Sequence, residues 1–304
     1  MRPFTAAAVQ LAPVPGPLTS ESVRANIGRA TDWTARCVRE SGAELVVLPE
    51  TCTTGFNPGL PAEELWQLMS EIPGPVSEPF QQMARDLGIH LCVGTYERGP
   101  DPGTVYNSAV LIGPDGAVLG VYRKTHPFRV EDSRHGGWAT PGSEVCVVPT
   151  ALGRIGMAIC FDGDFPELWR IQAVRGAELI CRPSALLRSA DIWELTCRAR
   201  AYDEHVYVIG ANAVGADPAG TLYFGNSMIV TPIAEVVARA ASHEGWAAAR
   251  LDPDTAMGSL TPGSSVPHGF DHLAERNLAL YEKHAADLIA PAATPFQRGR
   301  TDRG

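Results

Sequence analysis

The chain has 304 residues, of which 45% are hydrophobic and 19% are charged, and it carries a net charge of −9. This composition is ordinary for a globular protein with a sizeable core, and the acidic surface disfavours nucleic-acid binding because it repels phosphate backbones. No apolar run approaches the roughly 20 residues of a membrane helix, and the N-terminal stretch lacks the apolar region of a signal peptide. We therefore expect a cytoplasmic protein with no membrane or nucleic-acid partner.

The first half of the chain predicts alternating strands and helices. Its apolar patterns indicate, in chain order, a strand at 4–11, a helix at 20–39, a strand at 42–50, helices at 63–68 and 76–87, and strands at 89–96, 105–112 and 117–123. The Pro-Asp-Gly turn at 114–116 predicts that the last two strands pair as a hairpin. A long loop rich in His, Gly and charged residues follows.

The second half repeats this organisation. The predicted elements are a hairpin of 144–149 with 154–159, a helix at 165–175, a strand at 176–184, a helix at 189–204, a strand at 206–211, and two or three strands between 221 and 251. The run G-A-E-L-I-C-R-P-S at 176–184 echoes G-A-E-L-V-V-L-P-E at 42–50, and each copy follows a helix. The repeat favours two similar α/β halves packed face to face over a chance match of apolar strings.

The tail differs from the rest of the chain. It is rich in loop-forming residues at first, has a helical pattern at 271–289, and ends polar and basic. We therefore predict one domain at 1–251 and an arm at 252–304 that packs on the domain or on a partner subunit.

Three chemically able residues follow predicted strands, where open α/β folds bind ligands. Glu50 follows L-V-V-L-P, Lys124 follows G-V-Y-R, and Cys160 follows I-G-M-A-I. Alone, each has an ordinary structural explanation, such as a buried cysteine or a solvated lysine. Together, a carboxylate, an ammonium and a thiol provide the base, the oxyanion donor and the nucleophile of a cysteine acyl-transfer site. The seven cysteines are widely spaced without C-x-x-C, which disfavours a disulfide framework or a structural zinc site.

The three motifs V-V-L-P-E-T, Y-R-K-T-H and I-G-M-A-I-C-F-D-G-D-F-P-E resemble those of the nitrilase superfamily of carbon–nitrogen hydrolases, in the family's order. The resemblance covers about residues 4–251. It implies a four-layer αββα sandwich, no metal or cofactor, and a homo-oligomer (a dimer or larger) that associates through helices.

The resemblance also implies a role for each motif residue. Cys160 would be the nucleophile and Glu50 the general base, while Lys124 and the backbone amide of Phe161 would form the oxyanion hole. Glu131, seven residues after the lysine in K-T-H-P-F-R-V-E, would hold Lys124 and Glu50 in place. Lys124 would also favour the thiolate, because a nearby cation lowers the pKa of a cysteine.

The residues after the cysteine bear on the substrate. Nitrilases of the superfamily have a tryptophan where this chain has Phe161, and its carbamoylases have arginines at the positions of Asp162 and Gly163. The run C-F-D-G-D-F-P-E-L-W-R instead resembles the aliphatic amidase branch. We therefore predict that small neutral primary amides are hydrolysed to carboxylic acid and ammonia.

Several alternatives stay open. An N-carbamoyl amino acid amidohydrolase or a nitrilase would use the same catalytic residues, and a binding scaffold without activity is the non-enzyme alternative. Arg182 and Arg188 either bind a substrate carboxylate or have ordinary surface or ion-pair roles. The chain has no G-x-S-x-G, P-loop or H-E-x-x-H motif for other hydrolase classes. The expected pocket walls are Phe161, Phe56, Trp138, Pro183, Ser184 and Ala185.

Overall fold

The computed structural model describes residues 1–254 and 271–291 of the chain. The strands of the described residues are β1 (Phe4–Gln10), β2 (Leu45–Val47), β3 (His90–Arg98), β4 (Val105–Ile112), β5 (Val118–Arg123), β6 (Val147–Pro149), β7 (Arg154–Met157), β8 (Leu179–Ser184), β9 (Tyr207–Asn212), β10 (Val214–Ala216), β11 (Leu222–Phe224), β12 (Met228–Val230), β13 (Val236–Arg239) and β14 (Gly245–Leu251). The α-helices that lie wholly within the described residues are α1 (Ser20–Ser41), α2 (Ala62–Leu68), α3 (Glu78–Leu87), α4 (Pro166–Val174), α5 (Ala190–Glu204), α6 (Leu278–Lys283) and α7 (Ala285–Ile289).

The two large sheets have the same internal pattern of strand directions. The first has the order β14-β1-β2-β3-β4-β5 and the second the order β6-β7-β8-β9-β12-β13. In each sheet the first pair is antiparallel, the next two pairs are parallel and the last two are antiparallel. The strands of the two G-A-E-L runs, β2 and β8, occupy equivalent third positions. The prediction of two similar halves is confirmed.

The sheets pack face to face, with helices on their outer faces. Strands β1 and β2 contact β9, and β3 contacts β8, across the interior. Helices α1 and α3 pack on the first sheet, whereas α5 packs on β9 and β12 with α4 beside it. Because the inner faces meet each other and the outer faces meet helices, both faces of β1, β2, β8 and β9 are buried, which explains their nearly continuous apolar sequences. The four-layer αββα sandwich is confirmed.

The structure differs from the sequence-based prediction in two segments. Residues 221–251 contain four strands, β11 to β14, rather than two or three. Gly225 and Asn226 have φ values of 68° and 58°, and this bend in left-handed backbone separates β11 from β12. The single helix predicted at 271–289 is wrong, because α6 begins only at Leu278, where the Asn277 side chain caps it, and a break at His284 separates α6 from α7.

The described part of the tail, residues 271–291, belongs to a unit separate from the rest of the chain. The packing of the predicted arm on the domain or on a partner subunit stays a prediction. Residues 255–270 and 292–304 of that arm lie outside the described residues. In the described ranges, no helix combines the length and the apolar character needed to cross a membrane.

Strand directions explain why distant residues meet. Strands β1, β2 and β3 are parallel, and β5 runs in the same direction as β3 because two antiparallel pairings separate them. The carboxyl ends of β2 and β5 therefore lie at the same edge of the first sheet, and Glu50 and Lys124 follow those ends. In the second sheet, Cys160 and Ala185 likewise follow the parallel strands β7 and β8.

Candidate active site

Glu50 is buried, being 1% exposed, and three neighbours bind its carboxylate. Oε1 accepts hydrogen bonds from Lys124 Nζ at 2.6 Å and from Asn107 Nδ2 at 2.7 Å. Oε2 accepts one from the backbone N–H of Ala185 in the second sheet, at 2.7 Å. A Cβ on Gly94 would overlap the Pro49 carbonyl and lie 2.7 Å from Glu50 Cα, so β3 can approach this segment only with glycine there. The carboxylate is thus fixed between the two sheets.

Lys124 lies between two buried carboxylates. Its ammonium donates to Glu50 and also to Glu131 Oε1, and all three side chains are at most 1% exposed. Glu131 is anchored in turn, because its Oε1 accepts from the backbone N–H of Phe128 at 2.8 Å. The structure therefore brings together the three charged residues that the sequence motifs singled out.

Asn107 completes this array, and sequence reasoning missed it. Its Nδ2 donates to Glu50 at 2.7 Å and to Glu131 Oε2 at 2.9 Å, so that it bridges the same carboxylates as Lys124. Its backbone carbonyl also accepts from the N–H of Lys124 at 2.8 Å. The available signal was an amide side chain in strand β4, whose residues from Ala109 onward form an apolar run, since a buried polar side chain needs partners.

Cys160 begins a 3₁₀ turn that spans Cys160–Asp164. Its φ of 43° lies in the left-handed region, which is uncommon for a residue with a side chain and is found at functional sites. The Asp162 carboxylate holds the turn by accepting from the N–H of Ile159 at 2.9 Å, and it accepts from the Tyr122 hydroxyl at 2.8 Å and the N–H of His126 at 3.1 Å. Asp162 therefore ties the cysteine turn to the lysine loop.

Arg182 supports the same turn from inside the protein. Its guanidinium is fully buried, and its Nη2 and Nε donate to the Cys160 carbonyl at 2.7 and 3.2 Å. Nη1 donates to Thr196 Oγ1 at 2.9 Å, and the group lies 4.7 Å from the Trp193 ring centroid. A Cβ on Gly163 would overlap this guanidinium. Arg182 is thus committed to the cysteine turn and does not line the pocket.

The charges of the site act on one another. Burial would lower the pKa of Lys124, but the carboxylates of Glu131 and Glu50 raise it above its ordinary value, so the ammonium stays charged. Burial raises the pKa of Glu131 against the opposing effect of Lys124. Burial, followed by Glu50, also raises the pKa of the Cys160 thiol, although Lys124 and Arg182 act to lower it. Lys124 thus has the direction of effect expected from the sequence, but burial and Glu50 outweigh it and favour the thiol form of Cys160.

A small pocket, partly open to solvent, lies at Cys160. Its other lining residues are Phe56, Phe128, Phe161, Ala185, Leu186, Leu187 and Arg188. Phe56, Phe161 and Ala185, which the sequence predicted as pocket walls, line this pocket, and their contact with a substrate stays a prediction. Trp138 lies behind Phe56 in edge-to-face contact at 6.0 Å and donates to the Tyr96 hydroxyl at 2.7 Å.

Two more of the expected wall residues are not among those that line the pocket. Pro183 and Ser184 form the end of β8, and the Ser184 hydroxyl donates to the carbonyl of Arg182 at 3.3 Å. The backbone carbonyl of Ser184 accepts from the N–H of Ala213 at 2.8 Å. The polar groups of Ser184 are thus engaged in hydrogen bonds at the end of β8, and only the residues that follow this strand line the pocket.

A family comparison agrees with this arrangement. The profile of the family described as carbon–nitrogen hydrolase matches residues 5–257. The chain belongs to this family. It is a carbon–nitrogen hydrolase of the nitrilase superfamily, and the match covers both sheets and every candidate catalytic residue.

Curated relatives and solved structures are similar over most of the chain. Omega-amidase NIT2 of Homo sapiens is 33% identical over 72% of this chain and 80% of its own. The deaminated glutathione amidase of Homo sapiens is 37% identical over 72% of this chain and 70% of its own. Nit3 of Saccharomyces cerevisiae, a branch 10 nitrilase-superfamily member, is 26% identical with a TM-score of 0.72, covering 83% of this chain and 91% of its own. The carbon–nitrogen hydrolase of Helicobacter pylori, with a TM-score of 0.77 at 24% identity, covers 95% of this chain and 99% of its own and shares the fold.

Proposed function

We propose that this protein hydrolyses small neutral primary amides to a carboxylic acid and ammonia through a thioester on Cys160. The observation that carries the proposal is the buried array of Glu50, Lys124, Glu131 and Asn107, whose charges act on the Cys160 thiol, together with the mostly apolar pocket that Cys160 lines. A base, a fixed cation and a nucleophile are the groups that acyl transfer needs.

The first half of the reaction forms the acyl-enzyme. The Cys160 sulfur attacks the amide carbon while Glu50 takes the thiol proton, so no free thiolate has to form at rest. The carbonyl oxygen becomes an oxyanion, which the Lys124 ammonium and the backbone N–H of Phe161 stabilise. Glu50 then gives its proton to the amide nitrogen, the carbon–nitrogen bond breaks, and ammonia leaves a thioester on Cys160.

Water completes the cycle. Glu50, again a carboxylate, takes a proton from water as the water oxygen attacks the thioester carbon. The same donors hold the second oxyanion. When this intermediate collapses, the carbon–sulfur bond breaks, the sulfur recovers the proton from Glu50, and the carboxylic acid departs. Glu131 and Asn107 keep Lys124 and Glu50 oriented through both halves.

The lining of the pocket favours an uncharged substrate with a small apolar chain. Three phenylalanines, Phe56, Phe128 and Phe161, form much of its wall. Apolar walls bind a hydrocarbon chain and do not compensate the desolvation of a charge. The names of the relatives, omega-amidase and deaminated glutathione amidase, support amide hydrolysis more than nitrile or carbamoyl hydrolysis.

A matched substrate panel tests the proposal. Ammonia release is measured from butyramide, butyronitrile and an N-carbamoyl amino acid at equal concentrations, with Cys160→Ala as the inactive control. We expect butyramide to have the highest kcat/KM by at least tenfold, about 1.4 kcal/mol of transition-state preference. A nitrile or carbamoyl substrate that beats the amide by that factor would refute the amide preference and keep the mechanism. If the wild type hydrolyses none of the three substrates, both the amide preference and the mechanism are refuted.

A further inference from the structure

The pocket has one charged lining residue, Arg188, and the cysteine turn supplies its partner. The guanidinium of Arg188 makes a two-pronged ion pair with Asp164, with Nη1–Oδ2 at 2.6 Å and Nη2–Oδ1 at 2.8 Å. The two side chains are 34% and 24% exposed, so the pair lies at the rim and is only partly screened by water. The guanidinium also lies 5.6 Å from the centroid of the Phe161 ring.

The pair connects the two segments that flank the nucleophile. Asp164 ends the 3₁₀ turn that begins at Cys160, and Arg188 follows β8 in the segment that also contributes Ala185 to the pocket. Both hydrogen bonds of the guanidinium fork to Asp164 are within ordinary distance, which is the strong geometry for an arginine and a carboxylate. Asp164 thus occupies one N–H of each terminal nitrogen of Arg188, the paired donors that a substrate carboxylate would otherwise use.

We propose that Asp164 determines the charge preference of the pocket. By neutralising Arg188, it makes the site select uncharged amides, and without it Arg188 binds amides whose chain ends in a carboxylate. This inference rests on the proposed function, since it names the residue that sets the substrate class of the same site. A substrate carboxylate can form an ion pair with Arg188 only when it displaces Asp164. This competition disfavours the substrate, because the chain already holds Asp164 beside Arg188.

The test uses two substrates that differ in one end group. Butyramide and succinamate have the same chain length and the same amide, but succinamate carries a carboxylate where butyramide has a methyl group. The measured quantity is the ratio of kcat/KM for succinamate to that for butyramide, which cancels any common effect on the catalytic residues. The full chain is compared with Asp164→Asn, Asp164→Glu, Arg188→Gln and the double variant Asp164→Asn/Arg188→Gln.

We expect Asp164→Asn to raise the ratio about tenfold, in the range of a hydrogen bond to a charged group, mainly through a lower KM for succinamate. Asp164→Glu keeps the charge and should stay within threefold of the wild type. The double variant should not show this increase in the ratio, because the increase depends on the guanidinium of Arg188. Arg188→Gln leaves Asp164 unpaired at the rim and should lower the ratio, which tests the idea even where Asp164→Asn does not fold.

Three results would overturn the inference: a ratio in Asp164→Asn within threefold of the wild type, a gain that persists in the double variant, or an unchanged ratio in Arg188→Gln. They are distinct from failure of the proposed function, which would appear as a lack of butyramide hydrolysis by the wild type. Preference of the wild type for succinamate over butyramide would refute both the neutral substrate class and the role of Asp164.

Discussion

Replacing Lys124 by methionine is the most informative perturbation of the array, because it keeps the length of the stem and removes only the ammonium. The side chain is 1% exposed and contacts Glu50 at 2.6 Å and Glu131. Its removal leaves two buried carboxylates that share only the amide of Asn107. Breaking a buried charge array in this way destabilises a protein by about 3–5 kcal/mol, and we expect a fall in melting temperature of roughly 5–15 °C.

The catalytic effect has to be separated from this loss of stability. Removal of one oxyanion donor lowers kcat by about 10²–10³. The double variant Lys124→Met/Glu131→Gln removes one of the two unpaired carboxylates, so it should recover much of the free energy of unfolding while kcat stays low. Glu131→Gln alone is the matched control, and thermal melting and steady-state ammonia release are measured for all three.

The result that would refute this reasoning is recovery of kcat in Lys124→Met/Glu131→Gln to within tenfold of Glu131→Gln. Lys124 would then only neutralise the carboxylates, and the oxyanion would be held by other groups. Lys124→Arg is a further check, since the planar guanidinium cannot replace a compact ammonium between two carboxylates. We expect it to remain at least tenfold below the wild type in kcat.

Three further predictions follow from individual contacts. Cys160→Ala should abolish turnover without loss of folding, and mass spectrometry of the wild type with substrate should find the acyl group on the Cys160 peptide; an adduct elsewhere would contradict the assignment. Because burial and Glu50 raise the pKa of the Cys160 thiol, the rate of its alkylation by iodoacetamide should still increase above pH 8. Glu50→Gln should move this dependence of rate on pH to lower pH, and a move to higher pH would contradict the effect of Glu50 on the thiol. Asn107→Ser should lower kcat about tenfold, in the range of a lost hydrogen bond to a charged group, as ammonia release can measure.

The parts of the site that sequence predicted share one physical basis. Glu50 and Cys160 each follow a buried apolar strand, Lys124 follows the half-buried strand β5, and the directions of these strands bring their carboxyl ends together. A charged residue or thiol at the end of a buried run is visible in one sequence, because burial fixes the run and the polar residue stands out from it. The repeated G-A-E-L run predicted the two halves for the same reason.

The remaining parts depend on contacts between segments far apart in the chain. Asn107 lies 57 residues from Glu50 and reaches it only because β3 and β4 pair in one register. For Arg182, the sequence allowed a role in the pocket or an ion pair, and the structure shows neither, because the side chain turns inward to the Cys160 carbonyl. Period-two alternation identifies a strand but does not determine which neighbour meets each face.

The distribution of charge explains how a thiol can serve as the nucleophile of this site. With both carboxylates ionised, Glu50, Glu131 and Lys124 carry a net charge of minus one, so a thiolate beside them would add a second negative charge in a buried place. In the proposed mechanism, transfer of the thiol proton to Glu50 during attack would avoid this, because the negative charge would move from Glu50 to the oxyanion and the total would stay constant. Arg182, whose donors go to a carbonyl, a hydroxyl and a thiol, is a cation that these carboxylates do not neutralise. Its positive potential is therefore available to the developing negative charge at Cys160 throughout the reaction.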